Sequence, residues 1–285
     1  MREEVDSMCT IKNDPQIFES MPKEERLSNA EYHAKTSHVN KSQLDEMARS
    51  PAHYKAKFID KLIETPRTPA LILGSAYHKL QTETDLFFEE YCIAPKINRR
   101  TKAGKEEFAE FEKSNKGKEV LTEDQYSQIE NMVNAVNSHP SASKLMKLKG
   151  RAETTRLWKD YETALDCKCR PDWLCSDDGL IVDLKTTEDA SPEGFARSIH
   201  KFRYHVQAAF YLRGCDECSN FIFVAVEKSP PYAVVCYQAS SDMIAAGDRI
   251  ATRDLDQLAK CLKSNRWPSY ADTIQTTDLP RWNND

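Results

Sequence analysis

Residues 170–187 read RPDWLCSDDGLIVDLKTT, and this stretch decides the architecture. Leu180, Ile181, Val182 and Leu184 form a near-continuous apolar run of strand length, as expected of a strand covered on both faces. Asp183 and Lys185 interrupt the run two residues apart, so in a strand they share one face. Opposite charges at the end of a buried strand are costly unless a partner or a metal compensates them. Asp177-Asp178-Gly179 reads as a hairpin turn, and the preceding arm begins at Arg170-Pro171-Asp172. The turn therefore lets the carboxylates of Asp172 and Asp183 converge. Two carboxylates with water and phosphate oxygens suit Mg²⁺. Lys185 alongside can hold an attacking water or stabilise charge on phosphorus. The set suits metal-dependent phosphodiester hydrolysis. A plain surface salt bridge between Asp183 and Lys185 remains the alternative at this point.

Working outward, AETTRLWKD (152–160) and YETALDCKCRPDWLC (161–175) read as strands before the turn. FRYHVQAAFYLRG (202–214) reads as a helix ended by Gly214. NFIFVAVEK (220–228) and YAVVCYQA (232–239) are two further strands joined through Ser229-Pro230-Pro231. Ser240 or Ser241 caps a long helix to about Ser264, and the tail beyond is irregular. The first half is helical. Ser42 can cap a short helix carrying Leu44 and Met47, and Ser50-Pro51 starts a second with Tyr54, Phe58, Ile59 and Leu62 on one side. Thr68-Pro69 starts a third, and Thr122 caps another that stops at His139-Pro140. Helices followed by a β-meander with one crossover helix predict a three-layer α/β or α+β unit with a mixed sheet. Residues 1–28 are polar and weakly periodic and read as an extension; 29–285 read as one domain.

Composition narrows the classes. The chain has 285 residues, 40% hydrophobic and 30% charged, enough for one sizeable core. No run approaches the roughly 18–20 apolar residues of a membrane span. The N-terminal stretch MREEVDSMCTIKNDPQ lacks an apolar core, so no secretory signal is expected and a cytoplasmic location is. The nine cysteines then read as reduced thiols. A net charge of -5 excludes a globally basic DNA-coating protein, but not an enzyme with a locally basic channel.

Three further features bear on the site. Gly74 and His78 lie one turn apart on the third helix, where glycine would permit close approach and His78 could be a ligand or a base. Gln207 and Tyr211 have the same spacing on a later helix and could orient Lys185 or touch a phosphate. Glu153 opens a strand and could complete a metal or water shell. Each has a bland reading in isolation: a structural histidine, a packed tyrosine, a solvated strand end. Residues 96–105, KINRRTKAGK, carry five cations (Lys96, Arg99, Arg100, Lys102, Lys105) and no acid, a sensible contact for DNA phosphates or an ordinary solvated loop.

In order along the chain, NAEYHAKTSHVNKSQLDEMARSPAHYKAKF, GSAYH, RRTKAGKEEF, AETT, CKCRPDW, IVDLKTTEDASPEGF and YHVQAAFY resemble the nuclease domain of the exonuclease VIII (RecE) family. That family belongs to the PD-(D/E)xK superfamily, with phage λ-type exonucleases and RecB/AddB nuclease domains. The resemblance covers roughly residues 29–285. It implies a restriction-endonuclease-like core, a mixed sheet flanked by helices. It implies metal ligation by His78, Asp172 and Asp183, and catalysis by Lys185. Gln207 with Tyr211 matches the family's QxxxY motif, and Glu153 an upstream acid. It further implies Mg²⁺, with Mn²⁺ able to substitute, and 5′-to-3′ digestion of one strand of linear duplex DNA. The product would be a 3′ overhang for a RecT-like annealing protein, the assembly a homotetrameric ring, and the source a bacterial cell, phage or prophage. Arg99, Arg100, Lys102 and Lys105 are the DNA-binding candidates. Two alternatives stay open: a restriction-type or junction-resolving endonuclease, and a non-catalytic DNA-end or partner-binding module. An iron–sulfur cluster or zinc site on Cys215-x-x-Cys218 with Cys92, Cys236 and Cys261 is not expected, because these cysteines are too spread.

Overall fold

A computed structural model describes residues 23–25, 27, 29–64 and 66–278. Strand β1 (Lys23–Glu25) and helix α1 (Asn29–Ala34) lead into α2 (Lys41–Arg49). The cap of α2 is Asn40, two residues before the expected Ser42. Its side chain accepts the Gln43 N–H at 3.0 Å while Gln43 Oε1 accepts the Asn40 N–H at 3.3 Å, a reciprocal box that favours the earlier start. Helix α3 (Pro51–Tyr54) begins at Ser50-Pro51 as read, but runs into a π-helical turn, Lys55–Ile59. The wider turn shifts the phase of the apolar face. Ile59 at the end of that turn stands 43% exposed, and Leu62, past the end of the helix, 76%, so neither lies with Tyr54 and Phe58.

Helix α4 (Pro69–Thr82) starts where Thr68 Oγ1 accepts the Leu71 N–H at 3.3 Å. After a 3₁₀ turn (Thr84–Leu86) follow α5 (Phe87–Glu90), β2 (Tyr91–Ile93), α6 (Lys102–Ser114) and β3 (Glu119–Leu121), with β2 and β3 paired in parallel. Helix α7 (Glu123–Ser138) carries a capping box at Thr122, and α8 (Pro140–Met146) follows the expected break.

The β half contains β4 (Arg151–Ala152), β5 (Thr155–Lys159), β6 (Asp166–Cys169), β7 (Trp173–Cys175) and β8 (Leu180–Thr187). Then come α9 (Pro192–Lys201), α10 (Tyr204–Gly214), β9 (Asn220–Glu227), β10 (Val234–Gln238) and α11 (Ser241–Ser264). Two sheets form here, β10-β9-β8-β7-β4 and β1-β5-β6. β8 and β9 are parallel and the other pairs antiparallel, so the five-stranded sheet is mixed. A parallel pair needs a crossover, and two helices supply it, α9 as well as α10. Helix α9 is absent from the sequence reading, although Ser191-Pro192 has the cap-then-proline form and Ser191 Oγ accepts the Gly194 N–H at 3.2 Å.

The segment 152–160, read as one strand, breaks at Glu153, whose φ is +47°. The break hands the chain from the five-stranded sheet to the other sheet. Residues 161–175 are likewise two strands, and the chain returns through Arg170-Pro171-Asp172. Both crossings meet at one corner, where the Glu153 N–H donates to the Asp172 carbonyl at 3.3 Å.

Strand β8 divides the core. Leu180, Val182 and Leu184 pack with Leu73, Tyr77 and Leu80 of α4 and with Ile129 and Met132 of α7. Ile181 faces the opposite layer with Phe210 of α10 and Leu255 and Leu258 of α11. Alternation then directs Asp183 and Lys185 toward α10. No helix among the described residues is long and apolar enough to cross a membrane. Strand β1 lies inside the segment read as an extension and pairs with β5; residues 1–22 lie outside the described residues.

Candidate active site

The site forms around the corner between the sheets. His78 projects from α4, one residue beyond the core-facing Tyr77, and its Nδ1 lies 3.2 Å from Asp172 Oδ1. Asp172 Oδ2 accepts the backbone N–H of Leu184 at 2.7 Å, which fixes the carboxylate against β8. Glu153 completes the group: one ligand atom from each of His78, Glu153 and Asp172 lies within 4.8 Å of the others.

Asp183 and Lys185 stand beside this group on the α10 side. Asp183, only 1% exposed, pairs through Oδ2 with Lys185 Nζ and accepts Gln207 Nε2 on Oδ1 at 2.6 Å. Oδ1 is therefore hydrogen-bonded, whereas the buried Oδ2 has the Lys185 charge beside it but no hydrogen-bond partner. The ammonium of Lys185 also sits 4.8 Å from the centre of the Tyr204 ring.

Burial and mutual charge shift these groups. Burial, with the Asp172 charge added, pushes Glu153 up to about 8. Burial raises Asp183 to about 6 against the opposing pull of Lys185. Burial would lower His78, but the charge of Asp172 and its hydrogen bond outweigh it and leave the imidazole raised. For Asp172 burial acts upward, yet His78, Lys185 and the Leu184 N–H prevail and hold it below its ordinary value. Burial also disfavours the charged form of Lys185, while Asp183 and Asp172 more than offset this and raise it.

The group opens into a cleft of about 860 Å³ lined by His78, Glu153 and Asp172 with Lys79, Arg151 and Trp173. A smaller pocket of about 220 Å³ adjoins Glu153 and is lined by Lys41, Arg170 and Tyr211. The structure thus brings together His78, Glu153, Asp172, Asp183, Lys185 and Gln207, with Tyr211 at the rim of the smaller pocket. It places Arg99, Arg100, Lys102 and Lys105 on exposed surface, and none of them lines either cleft. The Arg99 guanidinium stacks on Phe108 at 3.7 Å, and Lys96 is paired with Glu123 at 2.8 Å. Gly74 is not demanded by close approach. A Cβ there would meet Thr186 Oγ1 at 3.7 Å, an ordinary contact.

A nitrogen donor with two carboxylates in a concave, partly dry setting is a donor set for a divalent cation such as Mg²⁺ or Mn²⁺. Glu153 fits this role because, without a cation, burial keeps its proton on. Eight cysteines lie among the described residues, all as free thiols, and the group there that could hold a metal contains none of them. Tyr204 escaped the sequence reading; its position three residues before Gln207, on the same helical face, was the available signal.

A mixed sheet between helical layers, with an Asp-x-Lys pair on its central strand beside a His/Glu/Asp group, defines a nuclease-like PD-(D/E)xK fold. The model of the family described as "PDDEXK-like domain of unknown function (DUF3799)" matches residues 40–280, and the chain belongs to that family. The superfamily resemblance drawn from the motifs is met. Among solved structures, a provisionally named exonuclease from Eubacterium rectale is 14% identical over 90% of this chain and 97% of its own, with a TM-score of 0.58. A phage-related exonuclease from Haemophilus somnus 129PT is also 14% identical, over 67% of this chain and 95% of its own, with a TM-score of 0.33. No curated protein matches the chain.

Proposed function

We propose that this chain is a divalent-metal-dependent exodeoxyribonuclease that digests one strand of linear duplex DNA from its 5′ end. The 3′ overhang it leaves would feed strand annealing by a RecT-like protein. The observation that carries the reading is the junction of two sets at one corner: His78, Glu153 and Asp172 on one side, Asp183, Lys185 and Gln207 on the other. The first set would hold Mg²⁺ or Mn²⁺, which supplies Lewis-acid polarisation of a phosphoryl oxygen and a lowered pKa for water. Lys185 carries a proton at neutral pH and can hold the attacking water or balance charge on the phosphorane. Asp183, which the resemblance makes a further metal ligand, also pairs with that ammonium, and Gln207 holds its other oxygen. Scission would leave a 5′-phosphate.

The exonuclease rather than endonuclease reading is supported by the ordered motif resemblance outside the catalytic residues, and the name of the Eubacterium rectale neighbour agrees with it. A homotetrameric ring around DNA and a cytoplasmic setting in a bacterial or phage-infected cell belong to the same reading. The test compares linear duplex, 5′-phosphorylated and labelled at either end, with closed circular duplex, in Mg²⁺ and in Mn²⁺. Progressive loss from the 5′ ends with circles spared is the expected result. Cutting of circles would replace it with the endonuclease reading, and no cutting of either would leave a binding module.

A further inference from the structure

Tyr204 is the first residue of α10, and its ring is held from several sides. Its centre lies 5.8 Å from Phe223, 6.0 Å from Phe195 and 5.6 Å from Phe202. The residue before it, Arg203, adopts φ +53°, a left-handed conformation that a non-glycine residue keeps only when its surroundings enforce it. They do so here. Arg203 Nη1 donates to the Leu44 carbonyl at 2.9 Å and to Asp45 Oδ1 at 3.0 Å, and Nη2 pairs with the fully buried Asp254. Two elements, α2 and α11, therefore fix the point where α10 starts, and with it the plane of the Tyr204 ring.

The Lys185 ammonium rests over that ring at 4.8 Å. The parallel register puts Phe223 opposite Asp183 and the small Ala225 opposite Lys185, so the aromatic cluster stops short of the residue facing the lysine. An ammonium has three N–H donors. Asp183 engages the charge from one side. A second carboxylate or carbonyl would take up another donor, whereas a ring face attracts the cation without demanding a directed hydrogen bond.

We propose that Tyr204 is a positioning residue for Lys185: its ring face holds the ammonium against Asp183 and leaves N–H donors free for a water or a phosphate oxygen. This rests on the nuclease reading of the same site and adds to it the aromatic support on which the lysine acts.

The test uses the full chain with Tyr204→Phe, which keeps the ring, and Tyr204→Leu, which removes it. Single-turnover cleavage of linear duplex is measured in Mg²⁺, and DNA affinity in Ca²⁺. Tyr204→Leu should lose on the order of 10-fold or more in rate with affinity within about twofold of wild type, and Tyr204→Phe should restore the rate. Equal rates for wild type and Tyr204→Leu would overturn the proposal, as would a Tyr204→Phe rate as low as that of Tyr204→Leu. A second reading is independent of activity. In ¹³C-lysine-labelled protein, with Lys185→Arg supplying the assignment, the ring should shift the Lys185 ε-methylene upfield, and Tyr204→Leu should abolish the shift. An ordinary position in wild type would overturn the proposal. Wild type inactive on every DNA, with the shift present, would sink the nuclease reading while sustaining the platform.

Discussion

Glu153 shows what a single residue contributes here. Its left-handed backbone turns the chain out of one sheet and aims a carboxylate at Asp172 and His78. Without a cation, that crowding has a pH signature. Glu153 is raised to about 8 by burial, so the native chain keeps a proton that the unfolded chain loses near its ordinary carboxylate value. Native stability must then fall as pH rises across that window. Asp183, raised to about 6, acts in the same direction at lower pH. His78 does too, because a raised imidazole stabilises the fold below its ordinary value and loses that contribution as pH passes its folded value. Asp172, lowered, works oppositely, but only in the acid range. Glu153 is partly open to the cleft, so the effect is discounted to roughly 2 kcal/mol, or about 5 °C in Tm. Metal-free protein should melt lower at pH 8.5 than at pH 5.5. Glu153→Gln should flatten the decline, and Mn²⁺ should raise Tm more at the higher pH. A Tm that rises with pH in metal-free protein would contradict this account of the corner. The Asp183–Lys185 pair makes a second prediction at this scale. Removing one partner of a buried pair strands a charge and destabilises by about 3–5 kcal/mol. Substitutions similar in shape keep the packing, although each still strands the partner's charge and should lower the urea midpoint accordingly. Asp183→Asn and Lys185→Met should each lower single-turnover cleavage by roughly 100-fold or more while retaining a native circular-dichroism spectrum. Near-normal rates in both would remove the pair from the chemistry.

At the scale of elements, the start of α10 is clamped by α11. A Cβ on Gly247 would lie 2.0 Å from the His205 carbonyl oxygen, a backbone atom that cannot rotate away. Gly247→Ala should destabilise by about 1–3 kcal/mol, read in a urea titration. It should also slow cleavage, because the strain falls between Tyr204 and Gln207. Unchanged stability would mean that the two helices yield freely. Element-level features differ in how readily sequence discloses them. Strand β8 was legible because an apolar run broken only by Asp183 and Lys185 has one reading. Helix α7 was legible from Thr122 and His139-Pro140, both local signals. The two-sheet corner was not. Nothing in AETTRLWKD tells that Glu153 takes a left-handed φ, since that conformation is imposed by the strands on either side going to different sheets. The π turn after α3 was hidden too: the periodicity of 54–62 suits a regular helix, and no residue in the sequence marks the wider turn. Convergence of His78 with Asp172 and Glu153 belongs to this class, because α4 reaches them through layer packing and not through sequence proximity.

For the whole molecule, the net charge of -5 opposes DNA, so binding must rely on a local arrangement of cations. Among the described residues, Lys79 and Arg151 line the main cleft, and two further arrangements are present. Lys41 and Arg170 line the pocket beside Glu153, each already engaged by protein oxygens. Arg99, Arg100, Lys102 and Lys105 are exposed at the start of α6 and line neither cleft. If the duplex is tracked along α6 on its way to the cleft, changing those four residues to alanine should act on binding alone. The slope of log affinity against log salt should fall by about 3–4, since each released counterion contributes about 0.9. KM should rise steeply at 150 mM salt, while the single-turnover rate at saturating DNA stays within about twofold, because no group at the corner has changed. An unchanged slope would place the duplex on another face and leave the cations beside Glu153 to meet the strand. A lowered saturating rate would mean that the α6 cations also hold the scissile strand in register, although none of them lines the cleft.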